Sequence, residues 1–325
     1  MRTELLTMLR ETNDYVSGQK ICDILGVSRT AVWKAINQLR KNGYEIEAVP
    51  NKGYRLMDIP DILNLHELQS RNKSEWIGKD IFCYEEIDST NAQAVRLAED
   101  GAGHGALIVA DSQQAGRGRR GRSWDSPAGI SVYMSILLKP EINPNNASML
   151  TLVAALAVSR AITQITGKRA GIKWPNDIVM NGKKICGILT EMSAQFDYVN
   201  HIIVGIGINV NTEDFSEEIA YMATSLQLET GLRINRAELI MAVCKQFEEV
   251  YEIYMQTQDL RNLVKEYNAN LINMHQNVKV LDPKEPFEGR AMGITSRGEL
   301  MVDTWESRKL VSSGEVSVRG IYGYV

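Results

Sequence analysis

A chain of 325 residues, 44% hydrophobic and 23% charged, can bury ordinary cores and is long enough for two or three domains. Its net charge of −4 gives no global attraction for nucleic acid, so any affinity for DNA must sit on a local surface. Four scattered cysteines (Cys22, Cys83, Cys186, Cys244) argue against a disulfide framework or structural zinc and fit a reducing cytoplasm, while no apolar leader follows Met1 and the 149–158 apolar run is short for a bilayer, so no membrane is expected.

Residues 1–58 carry short helical patterns separated by turn signals. Between Gln19 and Lys34 come a helix, a turn at Gly26 and a Ser28 cap opening a second helix, the order of a helix-turn-helix. At 100° per residue Val32, Ile36 and Leu39 share one narrow packing face, and Arg29, Thr30, Trp33, Lys34, Asn37 and Arg40 fill the adjacent arc. Residues 44–49 and 53–56 bracket a Pro50-Asn51-Lys52 turn, which reads as a two-stranded wing with a basic tip. Lys20, Ser28, Arg29, Thr30, Trp33, Lys34, Asn37 and Lys52 are the expected DNA contacts, with Trp33 open to two readings, base contact or cover for the wing. Nine basic against seven acidic side chains leave this module at +2, so one copy should bind weakly and tight binding calls for two copies on a two-fold symmetric site. A winged helix used for protein contacts is the alternative.

Residues 59–79 are polar and weakly patterned, a linker in which Ile62, Leu63 and Leu65 could pack a short helix. From residue 81 strands and helices alternate: strands over 106–110 and 131–138, then a helix over 148–166 ending at Gly167. Residues 172–180 and 183–192 flank Asn181-Gly182 as a hairpin, 201–210 is a strand, and Asn235 caps a long helix. After Met274 short strands and turns mark a small all-β domain. The expected division is 1–58, a linker over 59–79, 80–272, and 273–325.

Gly116-Arg117-Gly118-Arg119-Arg120-Gly121 spells a dinucleotide fingerprint after a strand, yet Arg122-Ser123-Trp124-Asp125-Ser126-Pro127 follows as a loop where a helix should open. No Gly-Lys-Ser/Thr ends it as a P-loop would. Four arginines without an intervening acid repel one another unless an anion or solvent screens them, and a polyphosphate suits forked donors beside glycines. A solvated basic loop or an arginine-rich RNA patch would look the same locally. The four histidines form no triad or metal spacing.

The wider company of this loop is more specific. Asp88-Ser89-Thr90-Asn91, Gln113 with its Q-Q-A-G-R-G-R-R-G-R run, Lys173-Trp174-Pro175-Asn176-Asp177, G-I-L-T-E and G-I-G-I-N-V-N occur in order behind the helix-turn-helix. Over nearly its full length the chain resembles the bifunctional biotin protein ligase and biotin operon repressor family. The resemblance implies an α+β multidomain protein: a winged helix-turn-helix, a central mixed α/β catalytic domain like that of class II aminoacyl-tRNA synthetases, and a C-terminal Src-homology-type small β-barrel. It implies biotin contacts from Ser89, Thr90, Asn91, Gln113, Arg117, Gly118, Arg119 and Lys173. Arg119 and Lys173 would be the catalytic pair, Arg119 closing over the adenylate and Lys173 offsetting charge where carboxylate meets phosphorus. ATP contacts would come from Arg120, Arg122, Trp124, Asn176, Asp177 and Asn209, with Mg2+ arriving on ATP and no resident metal.

Local alternatives stand beside these roles. Ser89 and Thr90 can simply cap a helix, with Gln93 completing a capping box. Lys173 can be an exposed strand lysine. Gly205 and Gly207, two apart on a strand, can admit a flat ligand or only tight packing. The resemblance further implies that biotinyl-adenylate favours a homodimer on operator DNA, and that a biotin carboxyl carrier domain is the acceptor. A ligand-sensing repressor without catalysis, a lipoate-type ligase and a redox-sensing Rossmann repressor are the competing functions.

Overall fold

The computed structural model describes the chain except residues 13, 283–284, 314–316, 321–323 and 325. At the N-terminus, α1 (Arg2–Glu11), α2 (Gly18–Leu25) and α3 (Arg29–Lys41) enclose a small core of Leu5, Leu6, Leu9, Ile21, Ile36 and Leu39. Local chemistry sets the breaks. Ser17 accepts from Lys20 N–H to open α2, Gly26 in the left-handed region (φ 64°) ends it, and Ser28 accepts from Ala31 N–H to open α3. The wing is β1 (Glu45–Val49) paired antiparallel with β2 (Gly53–Asp58). Gly53 is required there: its φ is 117°, and a Cβ would lie 2.0 Å from the Val16 carbonyl oxygen.

The 59–79 stretch is more than a linker. It contains α4 (Leu65–Arg71), capped by Asn64 and anchored by the fully buried Glu67, which takes Arg10 at 3.0 Å, Arg71 Nε and the Tyr44 hydroxyl. Of the three apolar residues singled out, Leu63 packs on the central core and Ile62 on the N-terminal one, while Leu65 is exposed.

The central domain is a seven-stranded mixed sheet in the order β3-β4-β5-β9-β8-β7-β6. Its elements in chain order are β3 (Ile81–Ile87), α5 (Thr90–Glu99), β4 (Ala106–Gln113), β5 (Val132–Leu138), α6 (Met149–Thr166), β6 (Gly171–Lys173), β7 (Asp177–Met180), β8 (Lys183–Ala194) and β9 (Val199–Ile208). Short α7 (Glu217–Ala220) and α8 (Leu226–Thr230) precede α9 (Arg236–Met255) and α10 (Val264–Asn270). Only β3 and β4 run parallel; the remaining neighbours are antiparallel. Asn181 (φ 47°) and Gly182 (φ 79°) form the expected tight turn between β7 and β8. Residues 172–180, read as one strand, are two: a turn through the cis Trp174-Pro175 bond folds β6 back on β7.

Helices α6 and α9 cover one face of the sheet with the main core, and α5 covers the other with Ala94, Ala106, Ile108, Leu137 and Ile203. Residues 144–166 are long and apolar enough to cross a bilayer, which the ten-residue apolar count missed; the stretch is mostly buried against protein, as a core helix is. The C-terminal domain is a five-stranded antiparallel sheet in the order β13-β12-β11-β10-β14, built from β10 (Asn277–Leu281), β11 (Phe287–Ile294), β12 (Leu300–Asp303), β13 (Arg308–Val311) and β14 (Ser317–Gly320). Trp174, fully buried, donates its Nε1–H to the Gly298 carbonyl at 3.0 Å and so fastens this domain to the β6–β7 turn.

Candidate ligand cavities and the DNA-facing surface

The start of α5 stands at the edge of a narrow cavity of about 50 Å³. Ser89 occupies the N-cap position without a side-chain capping bond, and Gln93 bonds Tyr84 and Arg96 instead, so no capping box forms. Gln113, at the end of β4, joins the strand to the helix. Its Oε1 accepts from Thr90 N–H (2.9 Å) and its Nε2 donates to Ser126 Oγ (2.9 Å). Beneath them the fully buried Ser135 hydroxyl lies 2.8 Å from Thr90 Oγ1 and 2.7 Å from Asn91 Oδ1. Asn91 Nδ2 donates to Glu191 at 2.7 Å. The result is a set of neutral donors and acceptors backed by the Glu191 carboxylate, with Arg117, Arg119 and Lys184 adding positive charge to the same cavity wall. The neutral groups match a doubly faced ligand group such as a cyclic urea, and the cations beside them match an anion.

Gly205 and Gly207 do bare one face of β9, though side chains of this chain lie against it. A Cβ on Gly205 would sit 2.1 Å from Asn91 Oδ1, and one on Gly207 would sit 2.7 Å from the Trp124 indole, which also covers Gly187. Trp124 Nε1 is buried there with no hydrogen-bond partner among the described residues. Ser135, Ser126 and Gly187 were not picked out from sequence. For Ser135 a signal existed: Ser131, Tyr133 and Ser135 alternate on one face of a strand otherwise rich in large apolar residues.

The 116–121 loop opens no α-helix. Arg117 bridges Ser123, Gly118 N–H donates to the Arg122 carbonyl, and Arg119–Gly121 makes a single 3₁₀ turn with Arg120 at φ 60°. Arg119 spans two domains: one guanidinium nitrogen donates to Asn176 Oδ1 and another to the Ser313 carbonyl, both at 2.8 Å. It lines the narrow cavity together with Ser89, Thr90, Asn91, Gln113, Arg117 and Gly118.

Arg119 and Gly118 also border a wider cavity of about 380 Å³, whose wall includes Arg120, Arg122, Trp124, Asn176, Asp177 and Asn209. Lys173 lines this cavity and not the narrow one, sharing it with Gly118 and Arg119 of the expected biotin contacts. It is buried, not an exposed strand lysine, with 4% of its surface accessible. Asp177 pairs with Lys184 at 2.6 Å, and Lys184 lies 5.4 Å from the Trp124 ring. Asn209 donates to the Thr224 carbonyl and lines the cavity wall. Arg319 and Tyr324 of the C-terminal domain complete the wall. Among the described residues no cluster of three metal-ligating side chains occurs.

On the N-terminal domain, Lys20, Ser28, Arg29, Thr30, Trp33, Lys34 and Lys52 are exposed and Asn37 is half-buried. Arg40, placed in the same arc from its spacing, turns instead to the wing and donates to the Ile46 carbonyl. Trp33 is 57% exposed.

Residues 84–209 match the biotin/lipoate A/B protein ligase family, residues 2–55 an HTH domain, and residues 276–319 the biotin protein ligase C-terminal domain. The bifunctional ligase/repressor BirA of Bacillus subtilis is 41% identical over 321 residues, covering 98% of both chains. That of Escherichia coli is 29% identical over 317 residues, covering 97% of this chain and 96% of its own. Among solved structures, biotin protein ligase from Aquifex aeolicus in complex with biotin and ATP superposes with a TM-score of 0.66 at 34% identity, covering 74% of this chain and 99% of that one.

Proposed function

The chain belongs to the bifunctional biotin ligase/repressor family, and we propose that it joins biotin to ATP as biotinyl-5′-adenylate, passes biotin to a lysine of a biotin carboxyl carrier protein, and represses biotin-synthesis genes. One observation carries the reading: a narrow cavity that gathers the neutral hydrogen-bonding groups of Ser89, Thr90, Asn91 and Gln113 shares Arg119 with a wide, arginine-rich cavity. In the first step a biotin carboxylate oxygen attacks the α-phosphorus and pyrophosphate leaves. In the second, the acceptor amine attacks the acyl carbon, loses a proton, and AMP leaves. Both are reactions of position and charge, for which no protein nucleophile is needed.

Ser89, Thr90, Asn91 and Gln113 hold the ureido ring in this reading, with Arg117 and Gly118 along the chain of the acid. Arg120, Arg122, Asn176, Asp177 and Asn209 take the nucleotide, and Trp124 lies where an adenine could stack beside it. Lys173, on the wide-cavity side, meets the carboxylate only at the junction and serves the developing phosphorane charge. Magnesium accompanies the phosphates; Asp177 faces the cavity and is paired with Lys184. The central sheet corresponds to a class II aminoacyl-tRNA synthetase-like domain and the C-terminal sheet to a Src-homology-type barrel. The protein works in the cytoplasm, free of membrane.

The exposed residues of α3, with Lys20 and Lys52, form the DNA face. Adenylate, by ordering the 116–121 lid, favours a homodimer on a two-fold operator. Biotin-dependent exchange of pyrophosphate into ATP tests the enzyme: exchange with lipoate in place of biotin, or no exchange, rejects it. Footprinting tests the regulator, and protection of one half-site only at saturation rejects the dimer. Arg119→Gly removes the side chain that ties the loop to Asn176 and Ser313. Release of biotinyl-adenylate is expected to quicken at least about tenfold, with the loss of the two charge-assisted bonds to Asn176 and Ser313, measured as decay of isolated enzyme–adenylate complex; unchanged retention removes Arg119 from the closing role.

A further inference from the structure

One side chain from the far end of the sequence reaches both arms of the β6–β7 turn. The Tyr324 ring centroid lies 3.3 Å from Lys173 Nζ, and its hydroxyl donates to Asp177 Oδ2 at 2.5 Å. Lys173 and Asp177 are register partners across the turn, so Tyr324 braces the pair that flanks Trp174-Pro175-Asn176. The other Asp177 oxygen lies 2.6 Å from Lys184 Nζ, an ion pair without the direction of a hydrogen bond.

A buried ammonium has to be stabilised by something. A carboxylate in contact would do so, but it would also cancel the charge and repel an approaching phosphate. An aromatic face attracts a cation through its quadrupole and adds no net charge.

We infer that Tyr324 is a positioning residue for the activation step: its ring holds the Lys173 ammonium at the wall of the wide cavity without adding a negative charge to it. This rests on reading that cavity as the nucleotide site. It gives the C-terminal domain a part in the chemistry, delivered by one side chain.

Full-length wild type, Tyr324→Phe and Tyr324→Leu are compared in biotin-dependent pyrophosphate exchange. Phe keeps the ring and is expected within about threefold of wild-type kcat, whereas Leu keeps bulk without the quadrupole and is expected to fall about thirtyfold. Biotin affinity by calorimetry without nucleotide should stay the same in all three, since Tyr324 does not line the narrow cavity. A Leu variant as active as the Phe variant overturns the inference, as does parallel loss of activity, biotin binding and melting temperature.

A second readout needs no turnover. Acetylation of Lys173 by acetic anhydride, followed by mass spectrometry, should rise about tenfold or more in Leu and stay low in Phe; equal labelling in all three overturns the contact. Wild-type protein lacking exchange but showing this labelling pattern rejects the assigned reaction while upholding the bracing of Lys173.

Discussion

Replacing Lys173 with methionine is expected to lower kcat for biotin-dependent pyrophosphate exchange about 10²–10³-fold, the usual cost of deleting a preorganised group at a site of developing charge. Affinity for biotin alone should change little, because the narrow cavity is lined by other residues. The pH dependence gives a second, independent signature. Burial pushes the Lys173 ammonium down to about 8, against the counteracting pull of Asp177. The charged form is the active one, so kcat should hold below pH 8 and fall as pH rises through about 8, a limb absent from the Lys173→Met enzyme. The stability effect runs the other way. With its folded pKa depressed, Lys173 binds its proton more tightly in the unfolded chain, so it costs stability below about pH 8 and the cost fades as pH climbs toward the unfolded value. The methionine variant should therefore melt no lower than wild type at neutral pH. A drop in melting temperature alongside the loss of rate would make the ammonium a structural group.

That opposition between rate and stability is typical of what sequence could and could not disclose here. Local devices were legible because their physics is local. The Ser28 and Asn235 caps, the left-handed Gly167 and the Asn181-Gly182 turn all fall where spacing put them. The helix-turn-helix faces followed from 100° arithmetic, apart from Arg40, whose length lets it reach back to Ile46.

Burial of polar groups was the main thing hidden. Residues 59–79 read as a polar linker because Glu67 looks like any surface acid until Arg10, Tyr44 and Arg71 converge on it. Lys173 needed its motif context to be noticed at all, and Ser135 lay inside an apolar strand. Gly205 and Gly207 were rightly suspected of admitting a close neighbour; part of what they admit is Asn91 and the Trp124 indole, from segments about 80–110 residues away in the sequence.

The largest expected effect on folding belongs to a residue that sequence patterning did not single out. Arg236 opens α9, is 2% exposed, and bridges Asp61 at 3.0 Å and Asp111 at 2.6 Å. Its backbone N–H also donates to Asp61 Oδ1, and its guanidinium reaches the Asp61 carbonyl. Asp61 lies three residues after the wing, and Asp111 lies two residues before Gln113 on β4, so one side chain ties the segment that follows the wing, α9 and the strand that carries Gln113 together. Arg236→Met leaves two carboxylates facing each other without a counter-charge, which for buried groups costs about 3–5 kcal/mol. Asp111 keeps partial access to water, so the lower part of that range is expected in urea unfolding at pH 7. Adding Asp61→Asn and Asp111→Asn to Arg236→Met should recover more than half of the loss, since it is the unpaired charge and not the missing contact that destabilises. Because Gln113 rides on the same strand as Asp111, the single variant should weaken biotin binding and the triple variant should restore it. A single variant that loses less than about 1 kcal/mol would place the bridge with ordinary surface ion pairs and cut the link between the segment that follows the wing and the ligand cavities.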